Sequence, residues 1–172
     1  MKKQIAIPTF TSSLRVAALP PFFYFYTIGN VAACLGLLAF CAATDFFDGY
    51  FARKLGVTSK FGAYYDATTD FILIIGIFAI FHAVGFYSIW LLLLIAASFI
   101  QFLVTSYLYR KIYDPVGRYI GSALYMGIAL TLLWPIPTIF IFVQYAFVVF
   151  FLVSITSRII DLTRKRVKIT PN

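Results

Sequence analysis

Four carboxylates of this chain form two closely spaced pairs. Asp45 and Asp48 are three residues apart, and Asp66 and Asp70 are four residues apart. At either spacing two side chains share one face of a helix, so each pair points its carboxylates in the same direction. Carboxylate oxygens are the ligands that hard divalent cations such as Mg²⁺ and Mn²⁺ prefer. The spacing therefore predicts two divalent cations, which together would clamp a phosphoryl group.

Small and basic residues accompany the acidic pairs. Gly49 and Ala52 follow the first pair, and Gly62 lies one turn before the second. Such residues leave room for a neighbouring helix or for a ligand against the backbone. Arg53 offers a planar fork that suits phosphate. The alternative is a set of solvated carboxylates at helix ends, paired with the basic residues nearest in sequence, which are Arg53, Lys54 and Lys60.

The composition points to a membrane. Hydrophobic residues make up 62% of the 172 residues and charged residues only 12%, whereas a soluble domain is about half apolar and a quarter charged. This excludes a disordered, fibrous or ordinary cytosolic protein. A net charge of +8 would suit nucleic acid, but the basic residues lie at the ends of apolar runs, where they suit anionic lipid headgroups. We therefore expect a lipid bilayer and no nucleic acid as the partner.

Three long runs lack Lys, Arg and Asp, namely residues 16–44, 71–109 and 119–157. A membrane span needs roughly 20 apolar residues, so each of the last two runs is long enough for two helices with a turn between them. Pro20 and Pro21 should bend the first helix. We predict an all-α integral membrane bundle of six transmembrane helices, over about residues 12–28, 30–54, 59–83, 86–112, 117–134 and 137–163.

All 14 Lys and Arg residues fall on one side of this predicted bundle. Basic residues accumulate on the cytoplasmic side of membrane proteins. We therefore expect a multi-pass protein of the cytoplasmic (plasma) membrane, with both termini and the acidic cluster facing the cytoplasm. Residues 1–172 would form a single transmembrane domain, preceded by a short interfacial segment over about residues 1–12.

The acidic pairs belong to a longer pattern. Residues 45–70 read Asp-x-x-Asp-Gly-x-x-Ala-Arg, eight residues, Gly, three residues, Asp, three residues, Asp. This resembles the signature of the CDP-alcohol phosphatidyltransferase family at every fixed position, and in particular its phosphatidylglycerophosphate and phosphatidylinositol-phosphate synthase-like members. Residues 7–15 resemble the amphipathic lead-in of smaller family members, with Thr9 in place of their usual Asn.

The resemblance implies an enzyme of phospholipid biosynthesis. Such a transferase moves a phosphatidyl or archaetidyl group from a CDP-lipid to the hydroxyl of a small polar alcohol and releases CMP. The family also implies a two-metal mechanism and a homodimer. The Asp cluster by itself would also suit a divalent-cation transporter or channel. All four Asp residues lie toward one side, however, so no charged path across the membrane is evident.

The family pattern also implies a role for each residue of the signature. Asp70 is the general base for the acceptor hydroxyl and shares the second cation. The remaining cation ligands are Asp45, Asp48 and Asp66. The expected CDP-binding residues are Asp45, Asp48, Gly49, Ala52, Arg53 and Gly62.

A second basic group lies on the same side as the acidic cluster, formed by Arg110, Lys111 and Arg118. These residues would bind the phosphate of inositol phosphate or glycerol 3-phosphate, although the positive-inside bias alone also accounts for them. Glycerol-phosphate enzymes of the family usually have Lys directly after the last Asp, where this chain has Phe71. An unphosphorylated acceptor such as serine is a further alternative.

Overall fold

The computed structural model describes residues 12–54, 60–109 and 117–167. Side chains are described for these residues except 46, 48–53, 60–61, 107–109, 117–118 and 158–167. In the described ranges the chain is helical and contains no strand, which confirms the predicted all-α fold. The main helices of these ranges are α1 (Leu19–Thr27), α2 (Val31–Lys54), α3 (Lys60–Ala83), α4 (Ile89–Tyr109), α5 (Gly117–Leu133) and α6 (Pro137–Val167).

A short helical segment, residues 12–17, precedes α1, and Ala18 separates the two. Pro20 lies in the first turn of α1, where a missing amide hydrogen breaks no helical hydrogen bond. Pro21 follows it, so two successive amide hydrogens are missing where the segment of residues 12–17 meets α1. The helix is interrupted at Ala18, just before the two prolines, and the bend expected there stays a prediction.

Glycines end α1 and α3 at the two turns predicted for them. Gly29 and Gly85 have φ angles of 72° and 88°, in the left-handed region that favours glycine. After α3, the Phe86 amide donates to the Phe81 carbonyl oxygen at 2.9 Å, a bond typical of a Schellman helix end. Residues 86–88 complete this turn, so α4 begins at Ile89 rather than at the predicted residue 86.

Helix α3 lies at the centre of the bundle. It contributes the buried side chains of Leu73, Ile77, Phe78 and Phe81. Helices α1 and α5 each pack against both α2 and α3, so they connect the two helices that carry the acidic pairs. A Cβ atom on Gly76 would lie 2.7 Å from Cδ2 of Leu19. The glycine therefore allows α1 to approach α3 closely, as small residues do between membrane helices.

Within the described parts of the chain, three stretches are long and apolar enough to cross a membrane, namely Gly62–Ala83, Ile89–Ser106 and Pro137–Ser157. Shorter apolar stretches, Val31–Asp45 and Tyr119–Leu133, lie in α2 and α5. Many large apolar side chains face outward, including Phe142 and Tyr145 of α6. Exposed apolar surface on this scale is typical of contact with lipid. The chain is therefore a membrane-embedded helical protein.

Candidate active site

A buried arginine joins the two acidic helices. Arg15 Nη2 donates to Asp45 Oδ1 of α2 at 2.8 Å, and Nη1 donates to Asp70 Oδ1 of α3 at 2.8 Å. Asp66 Oδ1 lies 3.8 Å from the same Nη1 atom. The Arg15 side chain has no exposed surface, whereas the side chains of Asp45, Asp66 and Asp70 are 52%, 34% and 27% exposed. The carboxylates therefore face the open side of the site, with the guanidinium beneath them.

Two serines fix the segment that carries Arg15. The Ser12 hydroxyl donates to Asp66 Oδ1, and the hydroxyls of Ser13 and Tyr65 are 2.8 Å apart. Both partners lie in the first two turns of α3. Residues 12–17 are thus attached to the cytoplasm-facing end predicted for α3, and Arg15 reaches the cluster from there.

The charges of the described site do not balance. Three carboxylates surround one guanidinium, which stays protonated at any ordinary pH. The part of the site that the structure describes therefore carries a net negative charge. Among the described residues, the Oδ2 atoms of Asp45 and Asp70 make no hydrogen bond or ion pair.

This donor set is all oxygen and carries excess negative charge, so its chemistry fits hard divalent cations. In the described part of the chain, no three Asp, His or Cys side chains already surround one point in a way that would hold a metal ion. The three carboxylates converge on the guanidinium of Arg15 instead. The residue types thus fit divalent cations, and Arg15 lies where their oxygens meet.

Helix α5 adds a hydroxyl to the site. The Tyr125 hydroxyl donates to Asp70 Oδ1 at 3.5 Å, so the oxygen of Asp70 that binds Arg15 also has a phenol beside it. The neighbouring threonines of α3 are used within their own helix. Thr68 and Thr69 donate to the main-chain oxygens of Tyr64 and Asp66, at 2.8 and 2.9 Å.

The structure brings Asp45, Asp66 and Asp70 together, as the spacing predicts. Gly62 lies on α3 one turn before Asp66. The other predicted residues fall in two groups. Asp48, Gly49, Ala52 and Arg53 of α2, and Arg118 of α5, are on described helices, but their side chains are outside the description. Arg110 and Lys111 lie outside the described residues.

Sequence reasoning missed the role of Arg15. In the sequence, Arg15 is one of the 14 basic residues that mark one side of the membrane, and the basic residues nearest the acidic pairs are the expected counter-ions. The cation that binds three of these carboxylates precedes Asp45 by 30 residues. One signal was available, because Arg15 is the last charged residue before the long uncharged run of residues 16–44.

Comparison with known proteins extends the resemblance beyond the signature. The sequence model of the CDP-alcohol phosphatidyltransferase family matches residues 5–163. The chain belongs to the CDP-alcohol phosphatidyltransferase family. Arg15, the acidic pairs and Tyr125 all fall within the matched residues of this phosphatidyltransferase domain. Members of the family use divalent cations, in agreement with the oxygen donors of the site.

Several curated relatives of this chain carry the name CDP-diacylglycerol–glycerol-3-phosphate 3-phosphatidyltransferase. The protein of that name from Yersinia enterocolitica is 34% identical over 100 residues, which cover 56% of this chain and 54% of the relative. The Yersinia pestis protein is 30% identical over 118 residues, which cover 67% of this chain and 64% of the relative. The Rickettsia bellii protein is 39% identical over 77 residues, which cover 43% of this chain and 42% of the relative. The chain thus spans between about half and two thirds of the first two relatives.

Proposed function

We propose that this protein transfers the phosphatidyl group of a CDP-lipid to the hydroxyl of glycerol 3-phosphate and releases CMP. The observation that carries the proposal is the convergence of Asp45, Asp66 and Asp70 on one half-exposed site. These residues belong to the family signature, in a chain that matches the family over residues 5–163. The choice of glycerol 3-phosphate is supported by the names of the curated relatives.

The transfer exchanges one phosphorus–oxygen bond for another. The acceptor hydroxyl oxygen attacks the lipid-linked phosphorus, and the bond from that phosphorus to the CMP oxygen breaks. CMP leaves with the bonding electron pair, and the hydroxyl proton passes to Asp70 and then to water. Positioning and charge neutralisation dominate catalysis of such a transfer.

The contacts of Asp70 suit the role of general base. Its Oδ1 atom accepts hydrogen bonds from Arg15 and Tyr125, which fix the orientation of the carboxylate. Its Oδ2 atom makes no hydrogen bond or ion pair with any described residue. This second oxygen is therefore available to accept a proton from a bound hydroxyl.

The signature residues share the remaining roles. When bound, two divalent cations, Mg²⁺ or Mn²⁺, supply the positive charge that neutralises the reacting phosphoryl group. Asp45, Asp48, Asp66 and Asp70 would hold them. The residues proposed to bind the CDP moiety are Asp45, Asp48, Gly49, Ala52, Arg53 and Gly62.

The acceptor is proposed to bind through its phosphate. Arg110, Lys111 and Arg118 follow α4 or begin α5, at the end of the bundle that carries the acidic cluster in the six-span arrangement. Guanidinium and ammonium groups bind phosphate through charge-assisted hydrogen bonds. A phosphorylated alcohol would therefore be favoured over serine.

The proposed topology is six spans with both termini and the active site on the cytoplasmic side. This topology is supported because the basic residues and the tryptophans lie at opposite ends of the predicted bundle. Trp90 and Trp134 lie in or next to the α3–α4 and α5–α6 connections, which contain none of the 14 Lys and Arg residues. Both indole side chains are exposed. Exposed Trp is typical of the membrane interface, and Lys and Arg are typical of the cytoplasmic side. The family resemblance additionally suggests a homodimer.

Release of CMP by the purified protein in detergent tests this function. CDP-diacylglycerol and CDP-archaeol would serve as donors with Mg²⁺ or Mn²⁺, and glycerol 3-phosphate, inositol phosphate and serine as acceptors. We expect release that depends on glycerol 3-phosphate and is lost in Asp70→Asn. Release with inositol phosphate alone would overturn the acceptor and keep the transferase. Absence of release with every pair would contradict the transferase.

A further inference from the structure

Arg15 occupies the point that three cation-binding candidates share. Its two terminal nitrogens approach the Oδ1 atoms of Asp45, Asp66 and Asp70, at 2.8, 3.8 and 2.8 Å. The guanidinium is completely buried, so water does not screen its attraction to these groups as it would at a surface. Among the residues whose side chains are described, Arg15 is therefore the cation that pairs with these carboxylates.

We propose that Arg15 is the internal counter-ion of the acidic cluster, and that it competes with divalent cations for the same carboxylates. In this view, the guanidinium neutralises part of the cluster until divalent cations bind. Their binding weakens the contacts of Arg15 with Asp45 and Asp70. The inference rests on the proposed cation-binding role of these residues and deepens it, because it adds a residue outside the signature that sets the affinity for the cation.

Competition follows because Arg15 and the cations would use the same carboxylates. A bound Mg²⁺ or Mn²⁺ needs oxygen ligands at about 2.0–2.2 Å, and Arg15 donates to Asp45 Oδ1 and Asp70 Oδ1 at 2.8 Å. A divalent cation on either carboxylate thus lies next to the guanidinium, and the two like charges repel each other. Arg15 also draws electron density from the oxygens that would bind the cation. Each contact that Arg15 makes is consequently lost or weakened when the cation arrives.

The site leaves room for this exchange. The three carboxylates are between 27% and 52% exposed, whereas Arg15 is buried beneath them, so cations approach from the open side. The segment of residues 12–17 keeps other attachments, since Ser12 contacts Asp66 and Ser13 contacts Tyr65. The ion pairs of Arg15 can therefore weaken while the backbone of residues 12–17 stays attached to α3.

Direct measurement of Mn²⁺ binding tests the competition. The full-length protein in detergent would be titrated with Mn²⁺, and free Mn²⁺ would be followed by electron paramagnetic resonance. Removal of the guanidinium in Arg15→Met should tighten Mn²⁺ binding by about tenfold, within the usual range of coupling between two ligands. Arg15→Lys keeps the charge but loses the two-pronged contact, and its affinity should lie between those of the wild type and Arg15→Met.

Lys54→Met is the matched control, because it removes one positive charge from the same helix as Asp45. Lys54 is exposed and lies nine residues beyond Asp45, about 13 Å along the helix axis. Its Mn²⁺ affinity should stay within about twofold of the wild type, since a surface charge beyond the Debye length is largely screened.

Thermal unfolding supplies a second readout. In EDTA, Arg15→Met should unfold at a lower temperature than the wild type, because the carboxylates then repel without a counter-ion. Mn²⁺ should raise the unfolding temperature of this variant more than that of the wild type, as linkage requires for a more tightly bound ligand. If Arg15→Met folds only with Mn²⁺ present, that dependence supports the proposal, and Arg15→Lys provides the affinity comparison.

Equal or weaker Mn²⁺ binding in both Arg15 variants would overturn the competition. That result is expected if Arg15 merely supports the fold, because its replacement would then loosen the cation site. Failure of Mn²⁺ to bind the wild type and both variants would overturn the competition together with the proposed cation site. Tighter binding in Arg15→Met, combined with no CMP release by the wild type, would support the competition and overturn the proposed function alone.

Discussion

Arg15 and Asp70, 55 residues apart in the sequence, form an ion pair with a nitrogen–oxygen distance of 2.8 Å. Arg15 is completely buried and Asp70 is 27% exposed, so the pair links the interior of the bundle to the open face of the site. Breaking such a pair by removing one partner leaves an uncompensated buried charge, which is strongly destabilising. The pair therefore fixes the orientation of Asp70 and leaves its Oδ2 atom available.

Replacement of Asp70 by Asn should abolish most of the transferase activity. The side chain keeps its size and an oxygen that can accept from Arg15, but it loses the basicity needed to take up the acceptor proton. We expect CMP release to fall about 10²- to 10⁴-fold, the usual contribution of a general base, while CDP-lipid still binds. Asp161→Asn removes a carboxylate outside the signature and serves as the control. A near-normal rate in Asp70→Asn would exclude Asp70 as the base.

Removal of divalent cations should stop the reaction. The site carries more carboxylates than cationic groups among the described residues, so a negatively charged diphosphate would be repelled from it without bound cations. CMP release should disappear after dialysis against EDTA and return when Mg²⁺ or Mn²⁺ is added. Activity that survives thorough chelation would contradict the two-metal mechanism.

Loss of the Tyr125 hydroxyl should have a smaller effect. This hydroxyl donates to Asp70 Oδ1 at 3.5 Å, a long hydrogen bond that helps to orient the carboxylate. Tyr125→Phe should lower kcat by about 2- to 10-fold, equivalent to one hydrogen bond of about 0.5–1.5 kcal/mol, and change KM little. Tyr145→Phe, at a side chain that is 69% exposed, is the matched control. An unchanged kcat in Tyr125→Phe would remove this tyrosine from the site.

Truncation of Arg110 tests the proposed acceptor site. If the guanidinium binds the phosphate of glycerol 3-phosphate, Arg110→Ala should raise KM for the acceptor by about tenfold or more, the effect of losing one hydrogen bond to a charged group. KM for CDP-diacylglycerol should change much less. Steady-state kinetics with each substrate varied in turn would measure both values. Equal increases in the two KM values would place Arg110 outside the acceptor site.

A prediction about the Tyr87–Thr131 contact separates stability from catalysis. The hydroxyls of Tyr87 and Thr131 are 2.5 Å apart at the opposite end of the bundle from Asp45, and both side chains are buried. Tyr87→Phe leaves the Thr131 hydroxyl with its bond to the Gly127 carbonyl oxygen at 2.7 Å. We expect a loss of about 1 kcal/mol in the free energy of unfolding, measured as a lower unfolding temperature, with CMP release unchanged.

The pH dependence of this contribution follows from the Tyr87 pKa. Burial raises the pKa of the Tyr87 phenol above its ordinary value, although the hydrogen bond with Thr131 opposes the shift. A group whose pKa is higher in the folded state contributes stability below its unfolded pKa, near 10 for Tyr, and loses that contribution as the pH rises through the folded value. The difference between wild type and Tyr87→Phe should therefore be constant between about pH 6 and 9. A difference that grows or vanishes within this range would contradict the shift.

Much of the fold and part of the site were predictable because they depend on local features of the chain. The spacing of the acidic pairs determines that Asp66 and Asp70 share a face of α3, since this is a property of any helix. Gly29 and Gly85 end helices because a left-handed residue is needed at that position. The interruption of the helix at Ala18 agrees with the missing amide hydrogens of Pro20 and Pro21.

The amino-acid sequence by itself thus determined the membrane character, the helices and the family signature. Only the tertiary structure placed Arg15 beneath Asp45 and Asp70 and brought Tyr125 to the same carboxylate. These contacts join residues that are 30 to 55 positions apart and lie on different helices. Helical periodicity states which residues share a face of one helix, but it does not state which faces meet. That choice is made when α1 and α5 pack against both acidic helices, because the buried charge of Arg15 must then find carboxylates within reach.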